Sequence, residues 1–495
     1  MVKKLLIATL SILLIYLIIP CYALLHAREL GLTEQTVLTM GSWRTDDILQ
    51  MRKILDLFEK SNPGIRVIFD PTPAAEYDAV LEAQLKSGSA PDIFYLRSFN
   101  ISSQLFEKGY IEPLDDLPDL KENFTPHMLA PWRSTKSNTI YGVPFIATAH
   151  GIYYNKAIFD KLNLDIPTTW EELLSHARII QDSGLIPFAN ASGEAWTINE
   201  IVFFNLAPNF IGGYQGRLAY LNGERCFNDT HMVAAFQALA DVAPFFPPNH
   251  TLLKYSDTLQ MFIQGQAAMW MGGSWDIPFI ESESPAFGWD IFAPPSPKGS
   301  PQFITFHLDA GIGLNRSSKQ KEAALTFLSW IARPESGKIM ANELPGFFPM
   351  HKKEKNLHQN NENSDSTTKQ LNQKDDPNSQ KETLAQEEAL VQGEGLNFEK
   401  AKLTQEQRSG SQHEAQNLIL SNPHADTFLN LKNRYPTDIR LVWEKLREGK
   451  PDGYQLFNEA AVNVVNGQWS AKKAADFVQK GLSQWFEPAT RCKKE

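Results

Sequence analysis

The chain has 495 residues, too many for one compact core, and it is 42% hydrophobic and 11% aromatic, which is enough to fill the cores of roughly two or three globular lobes. A formal net charge of -10 argues against a nucleic-acid partner, because phosphate binding needs clustered Lys and Arg that are absent. The three cysteines form no CxxC and no His/Cys spacing, so no metal site or metal cofactor is expected.

Lys3 and Lys4 precede a largely apolar run from Leu5 to Ile19, closed by Pro20 and Cys21-Tyr22-Ala23. A short basic segment, about 7–15 apolar residues and small-residue spacing make a secretory signal, with cleavage after Ala23 or Ala27. The alternative is an uncleaved anchor, although the run is short of the ~20 residues of a bilayer span. Lipidation at Cys21 would need Gly or Ala where Pro20 stands. Each route places residues 24 onward outside the cytoplasm, periplasmic or otherwise extracytoplasmic. There Cys226 and Cys492 could pair, although nothing local in the sequence requires it.

Strand and helix patterns alternate from Thr36 onward. Thr36–Met40 reads as a strand, and Ile48–Lys60 as a helix with Ile48, Met51, Ile54, Leu55 and Phe58 on one face. Asn62-Pro63-Gly64 ends it. Ile65–Phe69 is a second strand, Glu76–Ser87 a second helix and Ile93–Leu96 a third strand. This βαβαβ order predicts a parallel sheet with covering helices. Further along, Gly151–Tyr154 reads as a strand. Pro167–Ser183 reads as a helix, with capping boxes available at Thr168/Glu171 and Thr169/Glu172. Helices are expected around Ile198–Leu206 and Val233–Val242, and an amphipathic segment at Met261–Met269. Ile291–Ala293 leads into a proline-rich turn, Ala310–Asn315 is strand-like, and Lys319–Ile331 is an amphipathic helix. Trp443–Leu446 and Asn458–Phe486 read as the last helices.

Residues 352–416 change abruptly to Gln, Asn, Glu, Lys, Ser and Thr, with Phe398 the one aromatic. Such a segment cannot bury enough apolar surface to offset its ordering entropy. It is expected to be a disordered polar insertion, with at most a helical turn at Leu384–Val391.

Eight stretches now stand in one order: GSWRTDD (41–47), NPGIRVIF (62–69), SGSAPDIFYL (87–96), YGVPF (141–145), IYYNKAIFDKL (152–162), PTTWEELL (167–174), FIQGQAAMWMGGSW (262–275) and GIGLNRSSKQKEAALTFLSWI (311–331). Together they resemble the extracellular solute-binding proteins of ABC sugar importers, the maltose-binding-protein-like group. The resemblance covers about 36–350 and, less fully, 420–490. It implies an α/β fold of the two-lobed periplasmic-binding-protein kind (type II), with a ligand cleft between lobes joined by a hinge. Lobe 1 would take 36–146 and 294–333, and lobe 2 would take 150–290, 334–351 and 420–490. Crossings near Phe145–Ala149 and Asp290–Pro295 would form the hinge. The implied partners are a sugar and the transmembrane permease subunits, with the protein itself a monomer. The sequence departs from the family at the polar insertion and at the N-terminal cysteine context.

A sugar offers hydroxyls and flat apolar ring faces, so its site needs polar side chains and exposed aromatic faces at the carboxyl ends of strands. Ser42, Trp43, Arg44 and Asp46 follow the first strand, and Arg97 and Ser98 follow the third. Thr148, His150 and Tyr153 surround the first crossing, Trp196 follows the FANASGEA loop, and Asp309 precedes AGIG. Trp43, beside polar residues at a strand end, is expected at the cleft. His150 could bond a ligand or only the backbone. Tyr153 and Tyr154 alternate, so one must face inward, and family position favours Tyr153 for the cleft. Asp309 could be a ligand acceptor or a turn residue, and Asp92 resembles a structural cap. In MWMGGSWD, Trp270 is expected to be core on helical spacing. Gly272-Gly273 would break the segment, and Ser274 would cap a new helix. The resemblance places Trp275, followed by Asp276, against the sugar. A secreted glycoside hydrolase or lyase would need two carboxylates about 5–10 Å apart, which Asp46, Asp276 and Asp309 supply only by assumption. No nucleophile elbow or phosphate loop appears. A tethered receptor for a sensor system would need a separate signalling partner.

Overall fold

A computed structural model describes residues 35–352, 420–439 and 445–492. The N-terminal segment 1–23, the polar insertion beyond Lys352 with its turn at Leu384–Val391, and Trp443 lie outside the described residues. No described helix is long and apolar enough to cross a membrane.

The first third follows its hydrophobic periodicity. Strand β1 (Thr36–Ser42) pairs in parallel with β2 (Ile65–Pro71) and with β3 (Ile93–Arg97). Helix Ile48–Ser61 buries Met51, Ile54, Leu55 and Phe58 against this sheet, whereas Ile48, expected on the same face, is 48% exposed in the first turn. Asp92 accepts from Thr39 N and Oγ1 at 2.9 Å and from Ser318 Oγ at 2.6 Å, so it ties β1 to the start of helix Lys321–Ile331. That is the structural role expected of it.

Strand β4 (Val143–Asn155) joins the two halves of the fold. Its first part pairs antiparallel with β8 (Ile304–Leu314), which also borders β3. From His150 it pairs with β6 (Ala267–Gly273), and over Ile152–Asn155 its other edge takes β7 (Trp289–Phe292). Strand β5 (Ile186–Phe188) lies parallel to β6, and β9 (Thr437–Asp438) lies parallel to the start of β8. The resulting order is β2-β1-β3-β8-β4-β6-β5. The parallel sheet expected from βαβαβ therefore holds for three strands and then becomes antiparallel, because β8 returns from the far half of the chain.

Two hydrophobic clusters flank this continuous sheet. One gathers β1–β3, helix Ile48–Ser61 and helix Lys321–Ile331. The other gathers helices Trp170–Asp182, Thr230–Val242, Gly453–Val465 and Ala471–Leu482. Alternation along β4 sends Tyr153 into the first cluster and its neighbour Ile152 into the second. Helix Pro334–Glu343 buries Met340 and Ala341 in the first cluster. Lys53 of helix Ile48–Ser61 stands 3.7 Å from its Glu343.

Local chemistry resolves several ambiguities. Of the two capping boxes, Thr169/Glu172 forms: Thr169 Oγ1 accepts from Glu172 N at 3.2 Å, while the Glu172 carboxylate also accepts from Thr168 N and Oγ1 at 2.7 Å. The expected helix at Ile198–Leu206 is a π-helix over Thr197–Phe203, followed by one α-turn. Met261–Met269 is not a single amphipathic segment. Helix Tyr255–Ile263 stops before Gly265, at φ 69°, and β6 begins at Ala267. Residues 267–273 are buried throughout, as in a strand covered on both faces, where helical and strand patterns look alike. The expected long helix Asn458–Phe486 is two helices, divided near Gly467 at φ 69° and restarted where Ser470 caps Lys473 N.

Cys226 and Cys492, 266 positions apart in sequence, form a disulfide that clasps the C-terminal turn to the second cluster. Cross-linking so long a loop restricts the unfolded chain and contributes about 2–4 kcal/mol. Reduction, or the double change Cys226→Ser and Cys492→Ser, is expected to lower the melting temperature in a calorimetric scan. An unchanged midpoint would mean that the bond adds nothing.

Candidate ligand-binding cleft

The strand ends that face the junction carry the first wall. Beyond Ser42 the backbone turns, with Ser42 Oγ accepting from Arg44 N at 2.9 Å. Arg44 forms a two-pronged pair with Asp47, at 2.6 and 2.8 Å. Burial pulls its guanidinium pKa down, but Asp47, Asp46 and Asp276 outweigh that and hold it above its ordinary value. Its guanidinium also lies 5.2 Å over the Phe347 ring. Asp46 is exposed at the rim, so the carboxylate of the Asp46-Asp47 pair that turns inward is Asp47, which sequence reasoning missed.

Trp43 does not present an open face, contrary to expectation. It is 7% exposed, edge-on to Tyr77 and Tyr95 at 5.5 and 5.3 Å, and the Arg97 guanidinium covers its ring at 4.5 Å. Tyr77 and Tyr95, both from the first cluster, close around the indole more completely than a strand-end position implied. Arg97 is steered by Asp78, 2.9 Å from its Nε. Burial lowers its pKa, yet Asp78 first and then Asp309 and Glu200 outweigh it, so the guanidinium stays charged. Glu200 belongs to the π-helix, so Arg97 feels acidic groups from both halves.

The second wall is aromatic. Trp275 is half-buried in a 3-10 turn, Ser274–Asp276, at the end of β6, and meets the His150 ring edge-on at 5.1 Å. Trp196, also half-buried, stacks obliquely on Tyr255 at 4.9 Å. Tyr255 donates to Asp276 at 2.5 Å, and its hydroxyl also meets the Trp275 side chain. No pattern in the sequence singled out Tyr255, which simply opens a helix. Asp276 is 5% exposed. Burial pushes its carboxyl pKa up to about 7, against the opposing pull of Tyr255, Arg44 and the Gly273 backbone.

The two tryptophans of MWMGGSWD part company here. Trp270 is fully buried, as expected, but on strand β6 rather than on a helix. A Cβ on Gly272 would sit 2.2 Å from the Trp270 ring, and one on Gly273 would sit 2.2 Å from the Trp275 ring. Only glycines let both indoles fold back over their own strand. Ser274 caps no helix. Its hydroxyl accepts from Ala149 N at 3.0 Å and donates to the Gly346 carbonyl, while Ala147 and Phe348 exchange backbone hydrogen bonds of 2.9 Å. Three passes of the chain, at 147–149, 274 and 346–348, are thus knitted at the junction.

Where β4 changes partner, Thr148 and His150 are buried, and the His150 ring lies 5.4 Å from that of His307. His307 Nε2 is 3.3 Å from Thr148 Oγ1 and 3.2 Å from Asp309 Oδ1. His307 and Asp309, two apart on β8, share a face, a pairing that strand alternation could have disclosed. Tyr153 is a correction: it is fully buried among Trp270, Trp289 and Phe428, and its hydroxyl donates to the Gly273 carbonyl at 2.6 Å. Since β4 has neighbours on both edges and helices on both faces here, neither Tyr153 nor Ile152 can reach a cleft. The junction therefore gathers Arg44, Arg97, His150, Trp275, Asp276 and Asp309, with Trp196 joined through Tyr255. No group of three or more acidic, His or Cys side chains fit to hold a metal occurs among the described residues.

This arrangement can be compared with known proteins. The family model for bacterial extracellular solute-binding proteins matches residues 42–338. The multiple sugar-binding protein of Streptococcus mutans is 27% identical over 292 residues, 57% of this chain and 67% of that protein. The maltotriose-binding protein of Pyrococcus abyssi is 24% identical over 301 residues, 58% of this chain and 60% of that one. Among solved structures, a chitin oligosaccharide binding protein shares the fold with a TM-score of 0.65 at 20% identity, covering 92% of this chain and 99% of its own. With more than half of its 495 residues inside the family match, the chain belongs to the bacterial extracellular solute-binding proteins.

Proposed function

We propose that this protein is the extracytoplasmic substrate-binding subunit of an ABC importer. It would capture a small oligosaccharide by hinge closure and deliver it to the membrane permease. The observation that carries this reading is the pairing of two half-exposed indoles, Trp275 and Trp196, with charged and hydroxyl groups at the inter-lobe junction. Indole faces suit sugar C–H surfaces, while Asp276, Asp309, Arg44 and Arg97 offer partners to hydroxyls. In a closed cleft an unreplaced hydrogen bond costs on the order of 1–3 kcal/mol, which would distinguish one sugar from another. The lobes, as we draw them, meet where β4 and β8 cross, and ligand touching both would favour the closed form. The Cys226–Cys492 bond supports an oxidising compartment. Of the three carboxylates from which an enzymatic reading would draw its pair, Asp46 is exposed at the rim, while Asp276 and Asp309 accept from Tyr255 and His307 and keep lone pairs for sugar hydroxyls. The reading is binding without turnover.

A thermal-shift screen over mono-, di- and trisaccharides and polyols tests it. At least one sugar is expected to raise the melting temperature and to be recovered unchanged. Trp275→Ala is expected to weaken that sugar by about tenfold. Full affinity in a normally folded Trp275→Ala protein would show that the platform lies elsewhere, and turnover of the sugar would favour an enzyme.

A further inference from the structure

Phe99 stands two residues past the end of β3, at φ 61°, ψ -123°. That conformation belongs to glycine, because an L side chain there crowds its own backbone. The other non-glycine residues at positive φ among the described residues are Asp119, Asn138, Asn163 and Ser284. Those are short polar types that tolerate the region. A bulky aromatic in such a conformation persists only where its surroundings over-determine it. Here they do: Phe99 N donates to the Pro131 carbonyl at 2.9 Å, and the Phe99 carbonyl accepts from Ser103 N at 3.0 Å and Ser102 Oγ at 3.1 Å.

The destination of the ring gives the strain a purpose. Leu96 before it and Leu105 after it lie in the first hydrophobic cluster, but the half-buried Phe99 ring packs against the second. Two residues upstream, Arg97 feels Glu200 of the second half's π-helix. The loop 97–99 is thus where the first lobe reaches across, and the inverted backbone turns an apolar ring toward the opposite side.

We propose that Phe99 is the closure contact of this protein, a positioning residue whose ring docks on the second lobe and sets how far the cleft shuts. Resting on the binding-protein reading above, it adds a residue that acts through lobe geometry and not by touching the sugar. Burial of the ring occurs only when the lobes approach, so the ring stabilises the closed form with or without ligand. The stop it provides fixes the width left for a ligand and hence the length of sugar admitted.

Small-angle scattering of the full chain, without ligand and with the best sugar from the screen, tests this together with Phe99→Ala, Phe99→Gly and Phe99→Leu. Phe99→Ala and Phe99→Gly are expected to increase the ligand-free radius of gyration and to weaken the sugar about tenfold through faster dissociation. Phe99→Leu should restore much of the closure. Phe99→Gly should melt higher than Phe99→Ala, since glycine relieves the strained backbone while both lack the ring. Wild-type scattering from Phe99→Ala and Phe99→Gly would overturn the proposal, as would Phe99→Gly melting below Phe99→Ala. If no sugar stabilises the wild type, the sugar reading falls, yet the ligand-free scattering comparison still decides the role of Phe99.

Discussion

Gly346→Ala is expected to be among the most damaging single-methyl changes in the described part of the protein. Gly346 sits at φ 88°, and a Cβ there would lie 1.8 Å from the Ser274 carbonyl oxygen and 3.2 Å from Ile277 Cδ1. The obstacle is backbone, which cannot rotate away as a flexible side chain would. The same residue accepts a hydrogen bond from Ser274 Oγ, so the clash would pull apart the knot that joins 147–149, 274 and 346–348. Overpacking and left-handed strain together should cost about 3 kcal/mol or more, or on the order of 10 °C in melting temperature. Because the displaced peptide leads into Trp275, ligand affinity should fall as well. Gly299→Ala is the matched control: Gly299 has φ 83° but nothing within 4 Å of its Cβ position. It should lose only the conformational part, about 1 kcal/mol. Equal melting temperatures for the two variants would show that the crossing relaxes around the added methyl.

Stability is expected to decline as pH rises from about 4 toward 7, by way of Asp276. Its folded-state pKa is raised to about 7 by burial, well above the ordinary carboxylate range. Between those values the folded protein keeps the proton that the unfolded chain has lost. Unfolding therefore releases a proton, and rising pH favours unfolding. The contribution is full below the unfolded pKa, falls through the window and levels off above about pH 7. In slope it amounts to ~1.4 kcal/mol per pH unit. Asp276→Asn, which keeps the size and a partner for Tyr255, should remove this slope from melting temperatures measured between pH 4 and 8. A second consequence concerns ligand. The protonated carboxyl donates, and the carboxylate only accepts, so the preferred sugar hydroxyl contact should change across neutrality in titrations with the wild type but not with Asp276→Asn. Parallel stability curves for both proteins would remove Asp276 as the responsible group.

Much of this molecule was readable before its structure. Met51, Ile54, Leu55 and Phe58 recur at helical spacing and are buried, and Thr169 with Glu172 starts its helix where the capping pattern stands. Local periodicity and capping act over three or four residues, so a linear reading captures them. Strand ends point to Arg44 and Arg97, the chain crossing to His150, the residue before AGIG to Asp309, and the family resemblance to Trp275 and Asp276; their ligand roles are part of the proposal. The errors share a cause. A run buried on both faces, such as 267–273, has no period to read, so β6 passed for the end of a helix. Strand-end position points Trp43 outward and family position points Tyr153 to the cleft, but what surrounds them comes from Tyr77, Tyr95, Trp289 and Phe428, residues that lie far from them in sequence.

Residue identity and short-range spacing are enough to disclose a multi-lobed extracytoplasmic α/β protein, its family resemblance and the chemical types at its strand ends. Which groups meet is a matter of the fold. The bonding of Cys226 to Cys492 across 266 positions, the pairing of His307 with Thr148, and the closing of Tyr255 onto Asp276 depend on chain crossings that no local pattern encodes. So does MWMGGSWD itself. Its two glycines admit both indoles, but it is the strand pairing of β6 with β4 that buries Trp270 and leaves Trp275 beside His150.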